Sequence, residues 1–150
     1  MSQKLDKLKR AKQAKNDEYY TRYEDVAKEV ANYTGQFNGK WIYCPCDDYR
    51  WSNFYKYFKN NFKELQLKHL TATNYNLGDG AYRADFNGYE EVVSELKGCG
   101  DFRSTECTQI KDQCDLVVTN PPFSLWRDLL YWLKGGTFNQ ENMKRLEDFV

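Results

Sequence analysis

The stretch D-L-V-V-T-N-P-P-F, residues 115–123, joins a β-branched segment directly to an asparagine, two prolines and a phenylalanine. Leucine, valine and threonine in succession favour a buried strand, here residues 115–119. Each proline removes a backbone N–H and fixes φ at about −65°, so the strand ends where the prolines begin. The stretch is therefore either a strand stop before a helix or a rigid hydrogen-bond acceptor platform, with an amide before it and an aromatic ring after it.

The segments upstream of this stretch predict an α/β fold. Residues 41–44 form a short buried strand that stops at Pro45, a helix follows from position 50 or 52 to 62, and residues 67–73 form a second strand. Strand, helix and strand in this order predict a parallel pair with a right-handed crossover. Aromatic residues at helical spacing should pack this helix on the sheet: Trp51, Phe54, Tyr55, Phe58 and Phe62.

A β-hairpin and two further helices complete the predicted frame. Residues 81–86 and 89–96 flank Asn87-Gly88, which is the strongest short hairpin signal, so an antiparallel hairpin is inserted in the sheet. Ser104 is expected to cap a short helix that ends near residue 112. Residues 124–134 form the helix after the prolines, and Gly135-Gly136 ends it.

The two ends of the chain are predicted to be helical. Residues 5–15 carry many lysines, which fits a solvated helix face better than a phosphate-binding arm. Thr21 is expected to cap a helix over residues 22–33, with Glu24 completing a capping box. The apolar stripe of that helix consists of Val26, Ala27, Val30 and Ala31. A last polar helix is predicted over residues 140–149.

Composition narrows the class of protein. The length of 150 residues fits one domain, and a net charge of +0 does not indicate a nucleic-acid-binding protein. No apolar run is long enough to span a membrane, and the lysine-rich beginning does not resemble a secretory signal, so a soluble cytoplasmic protein is expected.

The cysteines predict neither disulfides nor a metal site. There are five of them at irregular spacing, which fits reduced, partly buried thiols. Cys44 and Cys46 could be combined with His69 as zinc ligands, but one intervening residue is too few and a second pair is missing. No metal is therefore assigned.

Three chemically unusual stretches follow predicted strands or precede a helix. They are residues 44–48 (C-P-C-D-D), residues 100–102 (G-D-F) and residues 120–123 (N-P-P-F). Ligands of α/β sheets bind outside the carboxyl ends of the strands, near the point where the strand order reverses. The three stretches together therefore predict a binding site at one edge of the sheet.

These residues resemble a known family. Asn120-Pro121-Pro122-Phe123 is similar to the catalytic tetrapeptide of amino-methyltransferases, and the wider chain, about residues 15–134, resembles the EcoRI-like adenine-specific DNA methyltransferases. The resemblance also rests on N-D-E-Y-Y-T at residues 16–21, Y-C-P-C-D-D at 43–48 with S-N-F at 52–54, and G-D-F-R-S at 100–104. It implies a Rossmann-like sheet that binds S-adenosyl-L-methionine (AdoMet), incomplete here with about four core strands plus the hairpin.

The resemblance also implies which residues hold AdoMet. Its amino-acid end is assigned to the loop of Tyr19, Tyr20 and Thr21, with Cys44 and Pro45 in the first motif. The implied contacts of the remaining residues are an ammonium or ribose bond to Asp47 or Asp48, an adenine-amine bond to Asp101, ring contact with Phe102, and a place near Asn120. Alternatively, Asp48 caps the following helix and Asp101 is a turn residue. The Gly-x-Gly turn of most AdoMet sites is missing after the first strand, and Asn74 or Tyr75 stands where an acidic residue is usual.

The implied reaction is methyl transfer to the N6 amine of an adenine flipped out of duplex DNA. The side-chain oxygen of Asn120 and the carbonyl of Pro121 would accept hydrogen bonds from the amine, Pro122 would hold that carbonyl rigidly, and Phe123 would stack on the base. Methylation of protein glutamine or of RNA through the same tetrapeptide is a lesser alternative.

The predicted organisation is a basic segment at 1–15, an AdoMet-binding catalytic domain at 16–136 and a helical tail at 137–150. The strand before the tetrapeptide would be an unpaired edge, which is a liability unless a second copy or a partner chain covers it. The rival interpretation is a truncated, catalytically inactive module that binds AdoMet or DNA.

Overall fold

A five-stranded mixed sheet with helices on both faces forms the frame of the molecule. The computed structural model describes residues 21–77, 80–121 and 123–136. The strands are β1 Trp41–Cys44, β2 His69–Thr73, β3 Tyr82–Phe86, β4 Glu91–Glu95 and β5 Leu116–Val117. The helices are α1 Tyr23–Val30, α2 Asn53–Asn60, α3 Thr105–Gln113 and α4 Trp126–Leu133, with short 3-10 helices at Ala31–Gln36 and Phe123–Leu125.

The strand order is β4-β3-β2-β1-β5. β1 is parallel to β2 on one side and to β5 on the other, which confirms the predicted strand–helix–strand unit. β3 and β4 form the predicted antiparallel hairpin, which adds to the sheet beside β2. The prediction is about four core strands beside the hairpin. The described residues contain three parallel strands, which are β1, β2 and β5.

The side chains of β1 alternate between two hydrophobic cores, one on each face of the sheet. Ile42 and Cys44 belong to one cluster, which packs beneath α1 and α2 around Val26, Tyr55 and Phe58. Tyr43 points to the opposite face, where a second cluster forms against α3 and α4. Successive side chains of a strand face opposite sides of the sheet, so a fully buried strand such as β1 serves both cores. The second cluster consists of Tyr43, Phe102, Ile110, Leu125, Leu129 and Trp132.

The start of α1 differs from the prediction. Arg22 occupies the N-cap position without a side-chain cap hydrogen bond, so the Thr21–Glu24 capping box is wrong. The hydroxyl of Thr21 bonds to Asn120 instead, a tertiary contact that replaces the local one. The predicted stripe is confirmed at Val26 and Val30, but Ala31 is exposed because the chain tightens into a 3-10 helix there.

Helix α2 begins at a residue that both caps it and reaches into the neighbouring loop. The Ser52 hydroxyl accepts a hydrogen bond from the Tyr55 backbone N–H, so Ser52 rather than Asp48 is the N-cap. Tyr55, Phe58 and Phe62 are buried as predicted. Trp51 lies before the first helical turn and is 56% exposed, so its predicted packing on the sheet is wrong.

Strand β5 is shorter than its sequence pattern predicts. β5 has only two residues because the backbone N–H of Val118 makes the last ladder bond, to Tyr43, before Thr119 turns toward Asp47. Ser104 caps α3 as predicted. In the described part of the chain, β5 pairs with β1 alone, and a groove of about 530 Å³ runs along its outer side between Lys111, Asp115 and Leu133.

Several predicted segments lie outside the described residues. They are the basic segment at 5–15, the loop at 16–20 and the helix at 140–149. Within the described ranges, no helix combines the length and the apolar character needed to cross a membrane.

Candidate functional site

The carboxyl ends of β1 and β5 lie side by side at the point where the strand order reverses. From β1 the chain crosses to β2 on one side, and it later returns to β5 on the other side. Such a switch point is where open α/β sheets bind ligands. The residues directly after these two strands are 45–48 and 118–121, so two of the three predicted stretches meet here.

Asp47 connects the ends of three parallel strands. Its carboxylate accepts one hydrogen bond from Ser52 Oγ at 2.7 Å and another from Thr119 Oγ1 at 2.9 Å. Its backbone N–H donates to the carbonyl of Thr73 at the end of β2, at 2.9 Å. Burial raises the pKa of Asp47 to about 6, although the hydroxyl donors oppose this shift. Both oxygens of this side chain are therefore used to hold loops together.

Thr73 locks the neighbouring turn in place. The Thr73 hydroxyl donates to the carbonyl of Pro45 at 3.2 Å and lies 2.7 Å from the hydroxyl of Tyr43. Because its single proton goes to Pro45, Thr73 accepts the proton of Tyr43. Pro45 and Cys44 are fully buried beneath these contacts, so in this structure both residues shape the turn from inside.

Asn120 is held by a residue from the other end of the domain. Its side-chain Nδ2 donates to the hydroxyl of Thr21 at 3.2 Å, across 99 residues of sequence. The carbonyl of Thr21 in turn accepts a hydrogen bond from the Asn53 amide at 2.9 Å. The structure thus brings the predicted catalytic amide against the predicted cofactor loop. Tyr19, Tyr20 and Pro122 lie outside the described residues.

Asp101 is buried in an ion pair at the rim of this site. Arg103 bonds to both of its carboxylate oxygens, at 3.1 and 2.9 Å, and a second branch of the guanidinium reaches Asp128 in α4 at 2.8 Å. The backbone N–H of Arg103 also donates to the Asp101 side chain, which is the geometry of a turn residue. The alternative assignment of Asp101 as a turn residue therefore matches the structure, and its cofactor contact stays a prediction.

A glycine permits the close approach that places Asp101. Gly100 has φ +81°, and a Cβ there would lie 1.8 Å from the carbonyl oxygen of Asn74. The loop therefore packs directly on the carboxyl end of β2. The side-chain oxygen of Asn74 accepts from the backbone of Tyr82, which makes Asn74 a structural link between β2 and the hairpin.

Asp48 and Phe102 occupy different surroundings from the central residues. Asp48 forms a two-point ion pair with Arg50 on the outer side of the turn, at 3.0 and 2.7 Å. The ring of Phe102 is 1% exposed and packs edge-on against Trp132, 5.1 Å between centroids. In this structure, Phe102 contributes to the second core.

The five cysteines are free thiols. Burial raises the pKa of Cys44, Cys46, Cys107 and Cys114, so these side chains stay protonated at neutral pH. In the strand register, His69 lies opposite Trp41, which is at the other end of β1 from Cys44. The zinc ligands considered above are therefore apart. Among the described residues, no group of three His, Cys, Asp or Glu side chains is arranged to hold a metal ion.

Four residues with contacts around the candidate site have no role in the predictions from sequence. They are Thr119, Thr73, Asn53 and Arg103. Thr73 ends β2, and Thr119 follows β5 by two residues, so their positions at strand ends could have identified both. Arg103 has no comparable signal for its contact with Asp128, which lies 25 residues away on α4.

Comparison with known proteins gives a consistent result. The chain matches the family described as adenine-specific methyltransferase EcoRI over residues 7–92 and 79–135. It is 46% identical to the Type II methyltransferase M.MpnI of Mycoplasma pneumoniae over 121 residues, which are 81% of this chain and 38% of that protein. It is 42% identical to the Type II methyltransferase M.EcoRI of Escherichia coli over 141 residues, 82% of this chain and 43% of that protein.

A third relative has a similar sequence identity and covers a similar share of the chain. The Type II methyltransferase M.MgeORF184P of Mycoplasma genitalium is 43% identical over 121 residues, again 81% of this chain and 38% of that protein. No solved structure gives a significant match. The chain spans about two fifths of the length of these curated relatives. The matched segments cover most of the chain, including both strand ends at the switch point, and the protein belongs to the EcoRI methylase family.

Proposed function

We propose that this chain is the AdoMet-binding and catalytic part of a DNA methyltransferase that modifies the N6 amine of adenine. The sheet would be the core of a Rossmann-like methyltransferase domain over residues 16–136, between a basic segment at 1–15 and a helical tail at 137–150. The printed names of the family and of its relatives support DNA methylation by relation.

One observation carries the proposal. Asn120, the first residue of the Asn-Pro-Pro-Phe stretch, is held at the topological switch point by Thr21 from the N-terminal side of the domain. A polar amide before two prolines could end any strand. An amide that a threonine 99 residues away holds, and whose chain neighbour Thr119 is bonded to the buried Asp47, is typical of a preorganised site.

The residues around the switch point suit AdoMet. The ammonium group, the ribose hydroxyls and the adenine amine of AdoMet are hydrogen-bond donors. The carboxylate oxygens of Asp47, Asp48 and Asp101 can each accept a further bond beside those they make within the chain. Burial raises the pKa of Cys46, and the negative charges of Asp47 and, to a smaller extent, Asp101 raise it further, so both carboxylates act on this thiol. The residues proposed to hold AdoMet are Tyr19, Tyr20, Thr21, Cys44, Pro45, Asp47, Asp48, Asp101, Phe102 and Asn120.

AdoMet, when bound, supplies a methyl group on a positively charged sulfur that is open to attack by a nitrogen lone pair. The task of the protein is to free that lone pair, which in adenine is conjugated with the ring. Asn120 Oδ1 and the Pro121 carbonyl would each accept one hydrogen of the amine. Two acceptors on a fixed platform favour a pyramidal nitrogen, and preorganised dipoles of this kind stabilise the charge that develops on the amine.

Duplex DNA is the proposed partner, and the target base would be flipped out of the stack. Phe123 would stack on the base, an interaction worth about 1–3 kcal/mol. The open side of β5 is the proposed contact for a second copy or a partner chain, because its backbone groups have no strand to pair with among the described residues.

The open side of β5 also supports the alternative of an inactive AdoMet- or DNA-binding module. Both candidates bind a ligand, but only the first transfers a methyl group. The deciding experiment is calorimetric titration of the 150-residue chain with AdoMet, followed by labelled methyl transfer to mixed-sequence duplex DNA. Binding with transfer supports the enzyme, and binding without transfer supports the module.

Substitutions then locate the chemistry. Asn120→Ala should lower methyl transfer by at least about 100-fold while AdoMet still binds, because the lost hydrogen bond acts on the amine. Phe123→Ala should mainly weaken DNA binding, and Pro121→Ala should be mildest, since any residue offers a carbonyl. Equal transfer by wild type and Asn120→Ala would show that the stretch is only a strand stop.

A further inference from the structure

Six residues, with the candidate catalytic Asn120 among them, form a closed ring of contacts. Asn120 bonds to the Thr21 hydroxyl, and the Thr21 carbonyl bonds to Asn53. Asn53 is the chain neighbour of Ser52, which bonds to Asp47. The ring closes at Thr119, the chain neighbour of Asn120.

We propose that Thr21 is a positioning residue for Asn120, and that the bond between Asp47 and Thr119 holds the same amide from its backbone side. The inference rests on the proposed function, since it takes Asn120 as the acceptor for the target amine. It assigns the Thr21 side chain to the amide, in place of the AdoMet contact that the family resemblance implies for this residue, so a contact of Thr21 with AdoMet would involve its backbone alone.

The geometry of an amide explains why such a contact matters. Asn120 carries a donor end, Nδ2, and an acceptor end, Oδ1, on one planar group. The bond of Nδ2 to Thr21 at 3.2 Å directs Oδ1 away from Thr21. An amine can donate only to Oδ1, so an amide that rotates freely would present the wrong end for part of the time.

The backbone of Asn120 needs a separate support. Thr119 is the residue between the last ladder bond of β5 and Asn120. Its hydroxyl donates to Asp47, which is itself fixed to β2 through the bond of its backbone N–H to Thr73. The carboxylate can only accept when ionised, so the Thr119 proton has one defined partner. Side chain and backbone of Asn120 are thus fixed by two independent contacts.

The exchange of one threonine for valine tests this assignment, because valine keeps the shape and removes the hydroxyl. In Thr21→Val, we expect kcat for methyl transfer to fall about 10- to 100-fold, the size of effect that a small misplacement produces. The Kd for AdoMet should stay within about twofold, and Thr21→Ser should restore most of kcat. The same exchange at the exposed Thr105 is the matched control and should change neither quantity.

An activity-independent readout accompanies the kinetics. The side-chain ¹⁵NH₂ signal of Asn120, identified by its loss in Asn120→Asp, should shift in Thr21→Val and return in Thr21→Ser. Thr119→Val should shift the backbone signal of Asn120 and lower kcat less than Thr21→Val does. Circular dichroism establishes that each variant is folded.

The possible outcomes separate the two proposals. Weaker AdoMet binding in Thr21→Val with an unmoved Asn120 signal would overturn the inference and make Thr21 a cofactor ligand. A wild-type chain that binds AdoMet and transfers no methyl group would refute the proposed function alone. In that case, a shift of the Asn120 side-chain signal in Thr21→Val would still support the bond between Thr21 and the amide. An unchanged signal would reject that bond.

Discussion

The carboxylates of the hairpin and the carboxylate of Asp47 at the strand ends have opposite kinds of partner. On the hairpin, Asp85 accepts hydrogen bonds from His69 and Arg83, both at 2.8 Å, and Glu91 accepts from Lys59 at 2.7 Å. At the strand ends, the carboxylate of Asp47 accepts from two hydroxyls and pairs with no cation among the described residues.

The pKa values follow this difference. Burial opposes ionisation of Asp85, but its hydrogen bonds and the positive charge of Arg83 outweigh burial, so the pKa of Asp85 is lowered. Burial also acts on Asp47, and two neutral donors do not compensate for it, so its pKa rises to about 6. Ionisation of Asp85 is therefore favoured on the hairpin, whereas Asp47 at the strand ends is a carboxyl that is costly to ionise.

The largest expected effect compares two arginines. The Arg103 side chain is 1% exposed and serves both Asp101 and Asp128, whereas that of Arg83 is 32% exposed beside Asp85. Arg103→Met should lower the free energy of unfolding by about 3–5 kcal/mol, because the buried carboxylate of Asp101 loses its cation, as does the partly exposed one of Asp128. Arg83→Met should cost only about 0–1 kcal/mol. Urea unfolding at pH 7 measures both, and equal losses would contradict the contrast.

The pH dependence of stability gives a second, intermediate effect. Because the pKa of Asp47 is raised, the folded state holds more protons than the unfolded state between the ordinary value of 3.8 and about 6. The free energy of unfolding should therefore fall as pH rises through that window, by about 3 kcal/mol from this group. Asp47→Asn should remove this fall, which unfolding curves from pH 3.5 to 8 would detect.

Asp85→Asn is the matched control with the opposite sign. The lowered pKa of Asp85 contributes stability above its unfolded pKa, and that stability is lost as pH falls through the folded pKa. The remaining carboxyl groups are the same in wild type and in each variant. Their contributions therefore cancel when the free energy of unfolding of a variant is subtracted from that of wild type at each pH. Cys44 and Cys46 stay protonated throughout this range. Parallel pH curves for wild type and Asp47→Asn would remove the proposed distinction between the two regions.

The smallest expected effect concerns exposed aromatic residues in the two regions. Trp51 beside the site is 56% exposed, and Tyr89 at the hairpin tip is 86% exposed. Replacement of either by alanine should change the free energy of unfolding by no more than about 0.5 kcal/mol. A loss above about 1.5 kcal/mol in Trp51→Ala would mean that this ring packs on the sheet in solution, as its helical spacing predicts.

Local patterns predicted much of the frame. β1 has the predicted limits because a β-branched and aromatic run meets Pro45, and the hairpin forms around Asn87-Gly88. Ser104 and Ser52 cap helices because their hydroxyls find a backbone N–H three residues on. Each of these features is decided by residues that are close in sequence.

The errors arise where distant residues compete with local ones. Thr21 looks like a helix cap, but its hydroxyl bonds to Asn120, which no local pattern contains. β5 ends early because Thr119 turns toward Asp47, 72 residues earlier in the chain. The ends of β1 and β5 lie side by side, as their order in the sequence predicts, whereas the partners of the side chains there depend on tertiary contacts that the sequence does not display.

The bond between Thr21 and Asn120 also bears on the order in which the domain folds. Closing a loop of 99 residues has an entropic cost that grows as (3/2)RT ln n, roughly 4 kcal/mol here. Hairpin and helix contacts close much shorter loops and can form first. During synthesis, Thr21 emerges early and Asn120 long after it, so the amide reaches its place only when nearly the whole domain exists. The candidate site is therefore the part of the domain that we expect to form last.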